Sequence, residues 1–223
     1  GAIMEIYLDT ADIEEVRKLS QVLPIAGVTT NPSIIAQSAQ PIETLLPELK
    51  AAMGGKGRIF AQVIARDIDT MIEEALRIGN IADNTVIKIP VTEAGLVAIK
   101  QLKQKNMLVL GTAIYSVSQG LMAALAGADY IAPYVHRMDR QGSDGVRVVR
   151  ELQTLVSMHN LPTKILVASF KTPRQVVDCL LSGASAVTLP IELAYSIIRS
   201  PVVDDAINKF TDDWSLAFNR QSL

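Results

Sequence analysis

The chain has 223 residues, a formal net charge of -2, 49% hydrophobic and 20% charged residues, one Cys and two His. That balance excludes a disordered chain, the even charge leaves no basic stripe for nucleic acid, and one Cys forms no internal disulfide. Two His cannot supply the imidazole clusters common at catalytic zinc, and neither an 18-residue apolar stretch nor a basic-then-apolar leader occurs, so a cytoplasmic protein without a membrane partner is expected.

In chain order, the N-terminal Gly1 to Ile3 read as a remnant ahead of Met4, and Glu5 to Leu8 reads as the first strand. Asp12 then caps a helix over IEEVRKLS. Ile25 to Val28 and Arg58 to Ile64 are the second and third strands, and Asp67 opens a helix over IDTMIEEALRIG. Thr85 to Ile89 is the fourth, followed by a helix start at Thr92 and Glu93. Met107 to Gly111, Tyr130 to Pro133 and Lys164 to Ala168 come next, with helices from Ser116, Ser143 and Thr172, the last with Pro173 in its first turn. Ala186 to Leu189 is the eighth strand. After Pro201, the amphipathic segment Val202 to Phe218 carries Phe210, Trp214 and Phe218 at i, i+4 and i+8, a stripe suited to docking on its own domain or on a neighbouring subunit.

Eight strand-then-helix units argue for a parallel sheet, and short connections without a linker argue for one domain spanning 1–223. A (β/α)8 TIM barrel with an extra C-terminal helix fits this length. The alternative is an open doubly wound sheet, but no G-x-G-x-x-G follows any strand.

Barrel chemistry sits at the carboxyl ends of the strands. Those ends carry Asp9, Thr29, Asn31, Gln62, Lys88, Thr112, Tyr134, Arg137 and Ser169. Lys88 stands between isoleucines in VIKIP, on the face it shares with Val86 and Pro90. An ammonium buried there is disfavoured, so the amine tends to lose its proton and becomes a nucleophile for carbonyls. The alternative is a structural lysine paired with Asp9 or another carboxylate. Gln62, Thr112 and Tyr134 flank Lys88 on neighbouring strand ends and could hold a water beside its nitrogen, with Tyr134 or that water as the acid/base. Asp9 and Asn31, across the barrel, suit vicinal hydroxyls. Arg137 and Ser169, with the SFKTPR turn, suit a phosphate. Lys171 and Arg174 read as a solvated helix start, the GGKG at 54–57 as a helix-stop turn, Cys179 as core, and His159 as a surface helix end; His136 sits near the mouth.

The segments YLDTAD, AGVTTNPSII, FAQV, VIKIPVT, LGTAIYS, YIAPYVHRMD and ASFKTPRQ resemble the small transaldolase-like family of class I aldolases, in order from about Met4 to the C-terminus. The resemblance implies a (β/α)8 barrel with no metal or cofactor and a Schiff base on Lys88. It further implies donor binding by Asp9, Thr29 and Asn31, a catalytic water held by Gln62, Thr112 and Tyr134, and phosphate binding by Arg137 and Ser169. Gln62 and Tyr134 match the aldolase branch, since transaldolases carry Glu and Phe at those positions. That branch reversibly cleaves fructose 6-phosphate to dihydroxyacetone and glyceraldehyde 3-phosphate. Its members are homo-oligomers, decamers of pentameric rings with the terminal helix reaching a neighbour. His136 departs from the Asn of close relatives and bears on acceptor choice. The rival expectations are a transaldolase, which passes the same three-carbon unit to an aldose phosphate, and a non-catalytic sugar-phosphate binding barrel.

Overall fold

The computed structural model describes residues 3–223; Gly1 and Ala2 of the expected remnant lie outside them. Eight strands form: β1 (Glu5–Asp9), β2 (Ile25–Thr29), β3 (Arg58–Gln62), β4 (Thr85–Pro90), β5 (Val109–Ile114), β6 (Tyr130–Pro133), β7 (Lys164–Val167) and β8 (Ala186–Leu189). Each pairs in parallel with the next and β8 pairs with β1, so the sheet closes as a (β/α)8 TIM barrel. The helices are α1 (Ile13–Val22), α2 (Pro32–Ser38), α3 (Ile42–Ala52), α4 (Ile68–Ile81), α5 (Glu93–Gln104), α6 (Val117–Leu125), α7 (Val135–Arg140), α8 (Gly145–Met158), α9 (Pro173–Leu181), α10 (Ile191–Ile198) and the extra C-terminal α11 (Pro201–Phe218).

Strand alternation sorts the side chains into an outer core and a barrel interior. Outward residues such as Leu8, Val28, Ile59 and Ile87 pack with Val16, Leu19, Leu45 and Ile99 of the helices. The inward lower tier is Tyr7, Phe60, Val86, Leu110, Tyr130, Leu166 and Ala186. Phe60 meets Tyr7 and Tyr130 edge to face, at 5.0 and 5.2 Å between ring centroids, plugging the floor. Two residues further along their strands stand Asp9, Gln62, Lys88, Thr112 and Thr188. The period of two therefore places a polar tier directly above an apolar one.

Five helix starts expected from the sequence carry the expected cap: Asp12, Asp67, Thr92, Ser116 and Thr172 each accept a backbone N–H three residues on. The start expected at Ser143 moves to Asp144, which accepts from the Arg147 N–H. The fifth strand runs three residues beyond its expected end, through a register shift between Gly111 and Ile114 where Ala113 has φ 59°. The docking of Val202–Phe218 on its own barrel is not seen: α11 buries none of its residues, and Phe210 is 67% exposed. Among the described residues no helix is long and apolar enough to cross a membrane.

Candidate active site

Lys88 leaves the middle of β4 into the barrel and is 5% exposed. Its Nζ donates to the Thr30 carbonyl oxygen at 2.7 Å. It takes part in none of the ion pairs formed among the described residues, so the structural pairing with Asp9 considered above is not made. Burial pushes the Lys88 amine below the usual lysine range, and the Asp9 charge offsets part of that effect. The shift is toward the neutral primary amine, the species that attacks carbonyls.

Asp9 at the end of β1 accepts a hydrogen bond from Thr29 Oγ1 at 2.8 Å. Burial raises its carboxyl above the usual range, against the pull of Lys88 and the Thr29 hydroxyl. Thr29 Oγ1 also lies 2.6 Å from Thr188 Oγ1. Because the single Thr29 proton goes to Asp9, Thr188 is the donor of that second bond, and Thr29 serves to aim the carboxylate. Asn31 caps α2 by accepting from the Ile34 N–H at 2.9 Å, which leaves its amide NH2 free to donate. Tyr134 Oη lies 2.7 Å from Thr112 Oγ1. Burial raises the Tyr134 phenol, so it keeps its proton at neutral pH. The Tyr115 ring packs edge to face on Tyr134 at 5.6 Å, and the Arg137 guanidinium lies 5.1 Å from the Tyr134 centroid while donating to Tyr115 Oη at 3.2 Å. Ser169 Oγ accepts from the Arg137 N–H at 3.2 Å.

These groups enclose a cavity of about 100 Å3 at the carboxyl mouth. Its walls include Asp9, Thr29, Asn31, Lys88, Tyr134, Arg137 and Ser169 from the sequence-derived set, with Thr188, Leu110, Ala132 and Leu166. Gln62 and Thr112 are not in its walls. Gln62 is in register with Lys88 across β3 and β4, but borders a larger apolar groove lined by residues of α2, α3 and α4. Thr112 reaches the site through its bond to Tyr134. Sequence reasoning missed Thr188 and Tyr115. Thr188 carried a signal, as a hydroxyl two residues beyond Ala186 in an otherwise apolar strand; Tyr115 lies past the strand end, where no periodicity applies. Among the described residues no three His, Cys, Asp or Glu side chains are grouped to hold a metal ion.

One strand end thus supplies a buried, unpaired amine, another a protonated phenol, and the far wall a carboxylate, amide and hydroxyls; residues 6–221 match the transaldolase/fructose-6-phosphate aldolase family. The chain belongs to that family. Among solved structures it is similar to a doubly substituted flavocytochrome b2 with sulfite bound, at a TM-score of 0.61 and 12% identity, over 85% of this chain and 57% of that one. The chain spans little more than half of that protein, and the likeness is one of fold alone.

Proposed function

We propose that the barrel cleaves fructose 6-phosphate reversibly into dihydroxyacetone and glyceraldehyde 3-phosphate through a Schiff base on Lys88. The observation that carries the reading is the Lys88 amine, buried in the barrel interior with a backbone carbonyl for a partner and no carboxylate. Its nitrogen adds to the C2 carbonyl, and loss of water from the carbinolamine leaves an iminium, which serves as the electron sink. Tyr134, acting directly or through a water held with Thr112 and Gln62, gives its proton to the hydroxyl that departs from C2 as water and, as the phenolate so formed, takes the proton of the C4 hydroxyl. The C3–C4 bond then breaks: its electron pair passes into the iminium, leaving the enamine of dihydroxyacetone, and C4 becomes the aldehyde of glyceraldehyde 3-phosphate. Proton return to C3 and addition of water at C2 release dihydroxyacetone and regenerate the amine.

Asp9, oriented by Thr29 and Thr188, and the free NH2 of Asn31 face the donor hydroxyls. Arg137 and Ser169 hold the phosphate, a guanidinium and a hydroxyl being matched donors for its oxygens. Gln62 and Tyr134 favour release of the donor over its transfer, by their match to the aldolase branch. The reading includes a homo-oligomer in which α11 covers a second copy of the chain. The test is incubation with fructose 6-phosphate and no added aldehyde. Free dihydroxyacetone accumulating over many turnovers supports the proposal; ketone that appears only as a transfer product after adding an aldose phosphate makes the protein a transaldolase.

A further inference from the structure

Arg137 and Ser169 stand on different segments, Arg137 in the first turn of α7 and Ser169 in the turn between β7 and α9. Their spacing therefore depends on what ties those segments together. Two backbone-mediated bonds contribute: the His136 N–H donates to the Ser169 carbonyl at 2.6 Å, and the Arg137 N–H to Ser169 Oγ at 3.2 Å. Ser169 is also held at φ 65°, a left-handed conformation that is unfavourable for a residue with a Cβ and persists only where its surroundings impose it.

We propose that Gln175 is the positioning residue that locks this phosphate end, its one side-chain amide joining the Ser169 turn to the Arg137 helix. Gln175 Oε1 accepts from the Lys171 N–H at 2.7 Å and from the Thr172 N–H at 3.1 Å, pinning the chain directly after Ser169 and Phe170. Gln175 Nε2 donates across to Asp139 Oδ2 at 3.0 Å and lies 3.3 Å from His136 Nδ1, both on α7. The other Asp139 oxygen accepts from the Gly145 N–H at 2.8 Å, so the carboxylate is itself anchored at the start of α8. With His136 Nδ1 as the acceptor, all four hydrogen-bonding positions of the amide are used, two on each side of the gap. Within α9 the Oε1 bonds complete a capping box with Thr172; a helix start needs only those, and the bonds to α7 do nothing for it. The cross-link acts on the relative placement of Arg137 and Ser169, and so on phosphate; Lys88 stands on β4, and Tyr134, although it directly precedes α7, is anchored separately on β5 by its N–H bond to the Ile114 carbonyl oxygen at 3.1 Å and by Thr112.

The inference rests on the reading of Arg137 and Ser169 as phosphate ligands and deepens it. Its test separates acceptor from donor and linkage from bulk. Gln175→Glu keeps both acceptor oxygens for α9 but replaces the donor with an oxygen facing Asp139. Asp139→Asn added to it restores a donor–acceptor pair of opposite polarity, the new carboxamide oxygen remaining available to the Gly145 N–H. In aldol addition of dihydroxyacetone, Gln175→Glu is expected to raise KM for glyceraldehyde 3-phosphate about tenfold. Its kcat, and both constants for unphosphorylated glyceraldehyde, should stay within about twofold, and the double variant should recover most of the KM. Calorimetric titration with inorganic phosphate should show the same weakening and recovery, and reads the site even if the wild-type protein performs no aldol addition. Equal losses on both aldehydes, a loss confined to kcat, unchanged phosphate binding, or no recovery in the double variant would each overturn the proposal.

Discussion

At the scale of single residues, Lys88 was legible because an ammonium between isoleucines on a buried strand has no good resting state. Its partner was not, since the Thr30 carbonyl belongs to the backbone and no side-chain pattern announces it. Likewise Thr29 reads as a substrate contact, whereas its proton is committed to Asp9. The lowered Lys88 pKa makes stability depend on pH. Between that lowered value and the ordinary lysine value of 10.5, the unfolded chain binds a proton that the folded chain does not. Stability contributed by this site therefore rises as pH climbs toward 10.5, and is lowest once the pH falls below the folded value. Thermal denaturation of the wild type and Lys88→Met across this range should show the wild type gaining on the variant as pH rises; parallel curves would mean that the buried amine is not neutralised. The variant should also lose aldol cleavage on the order of a thousandfold or more, as the nucleophile is gone. Tyr134→Phe keeps the ring against Tyr115 and Arg137 but removes the proton carrier. Its kcat for cleavage should fall on the order of a hundredfold, with KM within a few-fold; equal falls in kcat and affinity would assign Tyr134 to binding.

At the scale of elements, helices with side-chain caps could be read directly, and those without them could not. α3, α7 and α10 begin after Pro41, Tyr134 and Pro190, none of which makes a side-chain cap bond, and α3 also contains Pro47. α2 did carry the signal, Asn31 followed by Pro32, but a polar residue at a strand end reads equally as chemistry; Asn31 serves both, its oxygen capping the helix while the residue lines the cavity. The strand-to-helix junctions are where backbone crowding supports the site. Gly95 in the first turn of α5 packs so close to the end of β4 that an added Cβ would lie 1.9 Å from the Pro90 carbonyl oxygen, a rigid backbone atom. Gly95→Ala must displace either α5 or Pro90, two residues beyond Lys88. Melting experiments should show a loss of about 1–3 kcal/mol, together with reduced activity; a variant of wild-type stability would show the junction to be slack.

At the scale of the molecule, the eightfold beat of β-branched runs and helical segments was enough to read a closed barrel, because strand and helix periods differ and a parallel sheet needs helical crossovers. What the terminal helix does was not legible, since its Phe210, Trp214, Phe218 stripe has the same period whichever surface it meets. In the structure the Trp214 and Phe218 rings meet at a tilt of 45° with centroids 4.4 Å apart, while Val202, Phe210 and Leu216 remain exposed on a helix with no buried residue. Such apolar exposure fits the proposed contact between copies. Light scattering coupled to gel filtration should give a closed oligomer that Phe210→Asp breaks into smaller species; a monomer at micromolar concentration would contradict that part of the account.

The central claim, that one uncharged amine inside the barrel condenses with a ketose, is tested most directly by reduction with borohydride in the presence of dihydroxyacetone, followed by peptide mass mapping. One reduced three-carbon adduct is expected, on the peptide containing Lys88, and absent from Lys88→Met. An intact Lys88 peptide, or label spread over the surface lysines, would contradict it.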